Sequence, residues 1–265
     1  MTTGAVRSLS IVIPAFNEAK RLPPTLQACR IYLDGIGIPF EIIVVDDGSS
    51  DGTAAVACSF PGVRVISLDR NRGKGAAVRT GMLGAGCDWA LVMDADHSLN
   101  IRLLERFWPF TETADVLVGS RKSPNAQLDR NQRALRRILG KCFSVFSVFV
   151  TGVGLEDFTC GFKLFRQAAL EPVFRRQRID GWGYDAEIMA IANLMGYRIY
   201  SIPVVWTDVP GTKVHLLRDT CWSLFELSVI LVNRILGVYR IDPSGAENPR
   251  RNDGGMPAPP AARSS

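Results

Sequence analysis

Two aspartates separated by one residue, Asp94 and Asp96, directly follow an apolar run of five residues. The run, Trp89–Met93, has the pattern of a fully buried β-strand. Residues two apart in an extended chain point to the same side, so both carboxylates can face one point. Hard oxygen ligands suit Mg²⁺ or Mn²⁺, which keeps its other positions for water and substrate phosphates. The pair is a candidate metal site, although an aspartate-rich turn that closes a strand has the same pattern.

The first hundred residues alternate between strand and helix, and these elements must position the aspartates. Strands are predicted at residues 9–14, 41–46, 63–68 and 89–93. The segments between them predict a helix from Asn17-Glu18 to about residue 34, a short helix at 52–58, and a helix from the RNRGKG turn to about 85. This alternation indicates βαβ units and a parallel sheet, which binds ligands at the carboxyl ends of its strands.

The rest of the chain predicts further α/β structure. Helices are expected at residues 101–110, 128–150 and 184–195, and strands at 114–119, at 161–165 near the sheet edge, and at 198–205. An apolar helix should run from Lys213 to about residue 236. We therefore expect a flexible segment at 1–8, one domain at 9–240, and a tail at 241–265 that is disordered by composition. Within the domain, the donor would bind to the half up to about residue 120 and the acceptor to the half from residue 121.

Composition narrows the class of protein. The 265 residues are 47% hydrophobic and 22% charged, as in a folded protein, and the net charge of +5 fits an anionic partner. Six scattered cysteines without a C-x-x-C pair, beside two histidines, argue against a zinc site and favour reduced thiols. The N-terminus lacks the apolar core of a signal peptide, so the expected location is cytoplasmic.

Two further turns could hold a nucleotide. Asp46 and Asp47 end the second strand, where carboxylates can accept hydrogen bonds from a ribose or a base; the following Ser50 or Asp51 could equally cap a helix. Lys74 in the RNRGKG turn could receive phosphate. A P-loop and a G-x-G-x-x-G after the first strand are both absent, which argues against a kinase and against a dinucleotide oxidoreductase.

The motifs occur in a recognisable order. IVIPAFNEA, VVDDGSSDGT, NRGKGAAVRTG and MDADHS are followed by VGSRK, DFTCGFKLF, GWGYDAEIMA and IPVVWTDVPGTKV. This series resembles inverting family 2 glycosyltransferases of the GT-A fold, and within them the polyprenyl-phosphate sugar synthases, above all dolichyl-phosphate glucosyltransferases, with mannose synthases close by. The resemblance implies a Rossmann-like, mostly parallel sheet flanked by helices, with a C-terminal amphipathic helix at the membrane interface.

The resemblance also implies roles for individual residues. The nucleotide-sugar site would comprise Pro14, Phe16, Asn17, Glu18, Asp46, Asp47, Lys74 and Asp94, with Asp47 reading the base. Asp94 and Asp96 would hold Mg²⁺ or Mn²⁺ on the diphosphate. Asp96, Arg121 and Asp157 would take part in catalysis, and the acceptor and its phosphate would meet Arg121, Arg133, Asp185, Glu187 and Lys213.

One departure bears on the donor. Mannose synthases follow D-A-D with Leu-Gln, whereas this chain has His97 and Ser98. His97 could be a third metal ligand or a solvated loop residue. The difference favours UDP-glucose as the donor over GDP-mannose.

The resemblance implies transfer of a hexose to a polyprenyl or dolichyl phosphate. A lipid phosphate is already anionic, so Asp157 is expected to position or assist, whereas a saccharide hydroxyl acceptor would need it as a base. The apolar stretches at 143–150 and 220–239 suit helices lying on the inner membrane face, although both could simply pack on the sheet. The alternatives are a transferase with a saccharide acceptor and a non-catalytic nucleotide-sugar-binding scaffold; nucleic-acid binding is not expected.

Overall fold

The computed structural model describes residues 6–121, 134–206 and 216–240. The strands in these ranges are β1 (Leu9–Ala15), β2 (Phe40–Asp46), β3 (Val63–Ser67), β4 (Trp89–Met93), β5 (Val116–Ser120), β6 (Phe162–Arg166) and β7 (Ile199–Pro203). They form one sheet in the order β3-β2-β1-β4-β6-β5-β7. All neighbours pair in parallel except β6, which runs antiparallel to both β4 and β5. The predicted mostly parallel α/β sheet is confirmed.

Helices cover both faces of the sheet. They are α1 (Leu22–Ile36), α2 (Thr53–Cys58), α3 (Lys74–Leu83), α4 (Leu104–Phe107), α5 (Ala134–Thr151), α6 (Gln167–Arg176), α7 (Tyr184–Leu194) and α8 (Leu216–Ile235). Alternate residues of β1 show why two layers are needed, since Ile11 and Ile13 pack with α1 while Val12 packs on the opposite side with α3. One core lies under α1, α2 and α4, and the other lies under α3 and α5 to α8.

The position of β6 differs from the sequence prediction. The 161–165 strand was expected near the sheet edge, but it lies between β4 and β5 and pairs with both. Met93 at the end of β4 is paired with Phe162 at the start of β6. Because β6 runs opposite to its neighbours, the loop before it reaches the edge at which the parallel strands end.

Several predicted boundaries also change. The first helix begins at Leu22 and not at Asn17, since prolines at its first turn suit a helix start. Residues 101–110 form α4 between two short 3-10 turns and not one helix, and α6 was not predicted. Residues 6–8 are part of the fold, because Val6 is buried and Ser8 accepts hydrogen bonds from Asp88 and Trp89. The predicted tail at 241–265 lies outside the described residues.

The cysteine prediction is met in part. Four of the six cysteines have described side chains, and none of the four is in a disulfide. Cys29 and Cys160 are buried, whereas Cys58 is exposed. Burial raises the pKa of the Cys29 thiol to about 12, so this thiol is protonated at neutral pH.

Candidate active site

The chemistry-bearing residues meet at one edge of the sheet. Strands β1, β2, β4 and β5 end there, and β6 begins there. Asp46 is the last residue of β2, Asp94 and Arg121 directly follow β4 and β5, and Asp157 lies in the loop before β6. This is the edge at which a ligand site was expected, since open α/β sheets bind ligands at the carboxyl ends of their strands.

Asp94 is closely packed and has positively charged side chains near it. Its Oδ1 accepts a hydrogen bond of 2.6 Å from Lys74 Nζ, and its backbone N–H donates to the carbonyl of Gly161. A Cβ atom at Gly161 would overlap the Asp94 carboxylate, so that glycine makes room for it. Burial disfavours the Asp94 anion, but the charge and hydrogen bond of Lys74, with the charges of Lys163 and Arg121, outweigh burial and lower its pKa.

Asp96 and His97 form the turn that follows. Asp96 Oδ1 accepts from the backbone N–H of Ser98 at 3.0 Å. His97 has a positive φ of 59°, which is uncommon for a residue other than glycine, and its buried Nδ1 has no hydrogen-bond partner among the described residues. Within those residues no group of three or more His, Cys, Asp or Glu side chains converges on one point, so a third-ligand role for His97 gains no support.

The donor set nevertheless fits a hard divalent cation. Two carboxylates two residues apart follow a buried strand, and the missing β-carbon of Gly161 leaves space beside the first of them. A site with only two protein oxygens leaves positions for water and for phosphate oxygens, as Mg²⁺ and Mn²⁺ sites commonly do.

Arg121 and Asp157 form a bidentate ion pair 36 residues apart in the chain. Arg121 donates from Nε to Asp157 Oδ2 at 2.8 Å and from Nη2 to Oδ1 at 2.9 Å. The Arg121 backbone N–H and both donors of Thr159 also point at this carboxylate. Asp157 is only 1% exposed, whereas 28% of the Arg121 side chain is exposed. The carboxylate therefore holds the guanidinium in a fixed orientation at the edge of the site.

Asp47 holds the glycine-containing basic turn. Its two carboxylate oxygens accept from the backbone N–H groups of Arg72 and Gly73 at 2.8 and 2.9 Å. Burial raises the pKa of Asp47 more than these hydrogen bonds lower it. Asp46 is also buried and accepts from the Ser49 N–H at 3.3 Å. In this structure Asp47 positions the turn that carries Lys74.

The loop after β1 packs on the loop after β2. Asn17 has a φ of 54°. Its backbone N–H donates to Ser49 Oγ, and its side-chain Oδ1 accepts from the Ser50 N–H. Pro14 is buried within β1, whereas Phe16 is 38% exposed beside this turn. Glu18 donates its N–H to the Thr53 hydroxyl. The first and second predicted nucleotide segments are therefore adjacent.

Two charged residues of the site were missed in the sequence. Arg21 pairs with Glu18 through Nε at 2.6 Å, and its pKa is raised first by that hydrogen bond and further by the charges of Asp96 and Asp94. Lys163 is 1% exposed on β6 and donates to Asp185 and to the carbonyl of Cys160. A charge inside the buried run CGFKLF was the signal that could have revealed Lys163.

Asp185 and Glu187 lie in the first turn of α7, and both side chains are buried. Asp185 pairs with Lys163, and Glu187 has no exposed surface. The Glu187 carboxylate accepts from the N–H groups of Arg178 and Ile179 and from the Tyr239 hydroxyl. These contacts tie the start of α7 to β6 and to Tyr239, and the Glu187 carboxylate is fully enclosed by protein. Arg133 and Lys213 lie outside the described residues.

The geometry thus combines two kinds of charge at one edge. Carboxylates suited to a divalent cation lie beside Lys74, Arg21 and Arg121, which can bind phosphate oxygens. Such a set can stabilise negative charge that develops on a diphosphate leaving group.

Known proteins resemble this chain in sequence. The sequence model described as Glycosyl transferase family 2 matches residues 10–174, more than half of the chain. The chain belongs to glycosyltransferase family 2. Among curated relatives of this transferase, dolichyl-phosphate beta-glucosyltransferase of Homo sapiens is 31% identical over 254 residues, covering 89% of this chain and 78% of the relative. The Saccharomyces cerevisiae protein of the same name is 32% identical over 256 residues, covering 88% and 76%.

Solved structures show the same fold for the transferase. Glucosyl-3-phosphoglycerate synthase from Mycobacterium tuberculosis, in complex with Mn²⁺, UDP and phosphoglyceric acid, matches with a TM-score of 0.61 at 17% identity, covering 92% of this chain and 82% of that one. Mannosyl-3-phosphoglycerate synthase from Rubrobacter xylanophilus matches with a TM-score of 0.59 at 19% identity, covering 91% and 79%. The predicted GT-A fold and the predicted family are confirmed.

Proposed function

We propose that this transferase moves glucose, with inversion, from UDP-glucose to a polyprenyl or dolichyl phosphate; GDP-mannose is the second candidate donor. Relatives that carry the name dolichyl-phosphate beta-glucosyltransferase match nearly nine-tenths of the chain, which supports both the sugar and the acceptor. Structural neighbours were crystallised with UDP and Mn²⁺, which supports a uridine nucleotide and a divalent metal.

The observation that carries the lipid acceptor is the inverted polarity of α8. Its two charged residues with described side chains point inward: Glu226 accepts from the Gly183 N–H, and Arg234 donates to the Val150 carbonyl. Its outward side chains are apolar and more than half exposed at Trp222, Phe225, Val232 and Ile235. A soluble helix normally presents the opposite pattern. Among the described residues, no helix is both long and apolar enough to cross a membrane.

Helix α5 extends this apolar surface. It packs against α8 and exposes Val145, Val148 and Phe149, three residues that share one helix face. Two neighbouring helices with outward valine, phenylalanine, tryptophan and isoleucine suit insertion into the headgroup region of a bilayer. We propose that the transferase binds the inner membrane face peripherally, from the cytoplasm, and reaches its lipid phosphate there.

The residues of the site have distinct roles in this reaction. Asp94 and Asp96 would hold Mg²⁺ or Mn²⁺, which supplies charge stabilisation to the departing diphosphate. Lys74 and Arg21 lie beside these aspartates and would bind phosphate oxygens. Phe16, Asn17 and the Asp46-Asp47 turn would enclose the nucleoside.

Arg121 and Asp157 complete the acceptor side. A phosphate acceptor is already an anion near neutral pH, so the attacking oxygen needs orientation more than deprotonation. Arg121 would supply that orientation, since Asp157 fixes its guanidinium through two hydrogen bonds. Arg133, Asp185 and Lys213 remain proposed contributors to the acceptor half.

A donor panel tests the reaction. Transfer is measured from radiolabelled UDP-glucose, GDP-mannose and other nucleotide sugars, with and without a polyprenyl phosphate in detergent, and with EDTA. Label that enters the organic phase only with UDP-glucose, lipid and metal is the expected result. Water-soluble product without lipid would instead indicate a saccharide acceptor and restore Asp157 as the base. No turnover with any donor would favour the scaffold alternative.

A matched pair of variants tests the membrane contact. Ile235→Asp on α8 should reduce sedimentation with vesicles of anionic phospholipid, because a charge would then face the acyl chains. Ile31→Asp on α1 is the control, since Ile31 is 64% exposed on the opposite layer of the fold. Equal sedimentation of both variants would contradict the assignment of α8 to the membrane.

A further inference from the structure

The loop before α7, residues 181–183, carries an exposed tryptophan into the active site. The Lys74 ammonium lies 5.4 Å from the centre of the Trp182 ring, within the range of a cation–π interaction. The same ammonium donates to Asp94 at 2.6 Å. Trp182 is 41% exposed, so its ring forms part of the site wall beside a proposed metal ligand.

Glu226 holds this loop from α8. The Gly183 N–H donates to Glu226 Oε2 at 2.6 Å, and Trp222 Nε1 donates to Glu226 Oε1 at 3.2 Å. A Cβ atom at Gly181 or Gly183 would overlap Glu226, so both glycines are needed for the close approach. Glu226 is 7% exposed, although it lies on a helix whose outer face is apolar. A buried carboxylate in such a helix carries a desolvation cost, which these hydrogen bonds offset.

The other side of the loop is held against α3. The Ala76 N–H donates to the Asp180 carbonyl, and Asp180 pairs with Arg79 at 2.7 Å. A Cβ atom at Gly73 would overlap that same carbonyl. The segment before Gly181 is thus fixed on the phosphate-binding side. Gly183 is held through its N–H by Glu226 and through its carbonyl by the first turn of α7.

We propose that Glu226 is a positioning residue that acts through Trp182 to hold Lys74 against Asp94, and so links helix α8 to the donor-phosphate site. The link runs from Glu226 to Gly183, through the Trp182 ring to the Lys74 ammonium. It deepens the proposed function, because a helix assigned to the membrane then also shapes the site that binds the donor.

Chemical labelling of lysine tests the link without any ligand. The rate of acylation of Lys74 in the folded full-length protein is measured by mass spectrometry, with exposed Lys20 as the internal reference. Trp182→Ala removes the ring and should raise the Lys74 rate roughly threefold to tenfold, the change expected for one cation–π contact. Glu226→Ala should raise it similarly, and Glu226→Gln should restore most of the protection because its amide oxygen can still accept from Gly183.

The double variant separates positioning from general loosening. If Glu226 acts through Trp182, Glu226→Ala adds nothing in the Trp182→Ala background. The proposal would be overturned if the Lys74 acylation rate of the double variant rose by the product of the two single-variant increases. An unchanged Lys74 rate in Glu226→Ala would also overturn it. Glu171→Ala is the control, since Glu171 is an exposed carboxylate of α6 that pairs with Arg175 of the same helix.

A kinetic arm connects the link to turnover. Glu226→Ala should raise KM for UDP-glucose by roughly threefold to tenfold and leave KM for the lipid unchanged, since Lys74 lies on the donor side. Equal increases in KM for UDP-glucose and in KM for the lipid would indicate a structural role only and would refute the link. Because the labelling cycle uses no donor, it stands even if UDP-glucose proves to be the wrong substrate.

Discussion

The ion pair between Arg121 and Asp157 allows a direct test of whether Asp157 transfers a proton. Asp157→Asn keeps the shape of the side chain but replaces one oxygen by an NH₂ group. That group would face the donors of Arg121 and Thr159, which now bind both carboxylate oxygens. The variant therefore removes the anchor of Arg121 as well as the supposed base.

The expected cost in stability follows from the contacts. Two charge-assisted hydrogen bonds contribute about 1.5–3 kcal/mol each, and the amide oxygen can retain one neutral bond of about 1 kcal/mol. Since 28% of the Arg121 side chain is exposed, water compensates part of the loss. We expect the free energy of unfolding to fall by about 2–3 kcal/mol. For a chain of this size the melting temperature should fall by about 5–10 °C.

Kinetics in parallel with Arg121→Met provide the assay. If Asp157 acts only by orienting Arg121, the two single variants should lose kcat to the same extent, and the double variant should be no slower than the slower single variant. Rates are compared at a temperature where all variants are folded. Asp115→Asn is the stability control, because Asp115 forms partly buried ion pairs with Arg166 and Arg198 on another part of the sheet.

One result would refute this reasoning. General base catalysis contributes roughly a hundredfold to ten-thousandfold in rate. If Asp157→Asn loses that much while Arg121→Met keeps most of its turnover, Asp157 acts on a proton and the acceptor is a hydroxyl group.

Two further variants test the packing around the site. Gly161→Ala should lower kcat at least about tenfold while the protein stays folded, because the added methyl group displaces the Asp94 carboxylate. The control is Gly154→Ala, which should leave kcat nearly unchanged because no atom lies within 4 Å of the new methyl group. Equal activity of the two variants would contradict the role of Gly161. Glu187→Gln should cost about 1–3 kcal/mol, because its NH₂ group would face N–H donors. Burial raises the pKa of Glu187 in the folded protein above its value in the unfolded chain. The contribution of Glu187 to the free energy of unfolding is therefore fully present below the unfolded-state pKa, and it is lost as the pH rises through the folded-state pKa. The cost of Glu187→Gln, measured by denaturant unfolding, should therefore be larger near about pH 4 than near about pH 7, and the opposite trend would refute the assignment.

The part of the site formed by β1 to β4 was largely predictable from local sequence. Strand β4 occurs at the predicted residues, and the two motif aspartates follow it at the edge where the parallel strands end. Local patterns suffice here because apolar runs separated by helices of suitable length leave few topologies open.

The part of the site around β5, β6 and α7 was less predictable. The Arg121–Asp157 and Lys163–Asp185 pairs join residues far apart in the chain, and they form because β6 enters the sheet between β4 and β5. Its apolar run suited an edge as well as an interior position, since periodicity does not report which neighbours a strand will have.

The sequence by itself determined the alternation of elements, the paired aspartates after a buried strand and the family. The tertiary structure alone decided that Glu226 and Arg234 of α8 face inward and that Glu226 meets the loop before α7. A charged residue in an apolar helix breaks the pattern in the sequence, but its partner is set by packing between helices. Because those contacts join residues 43 and 84 positions apart, no local pattern encodes them.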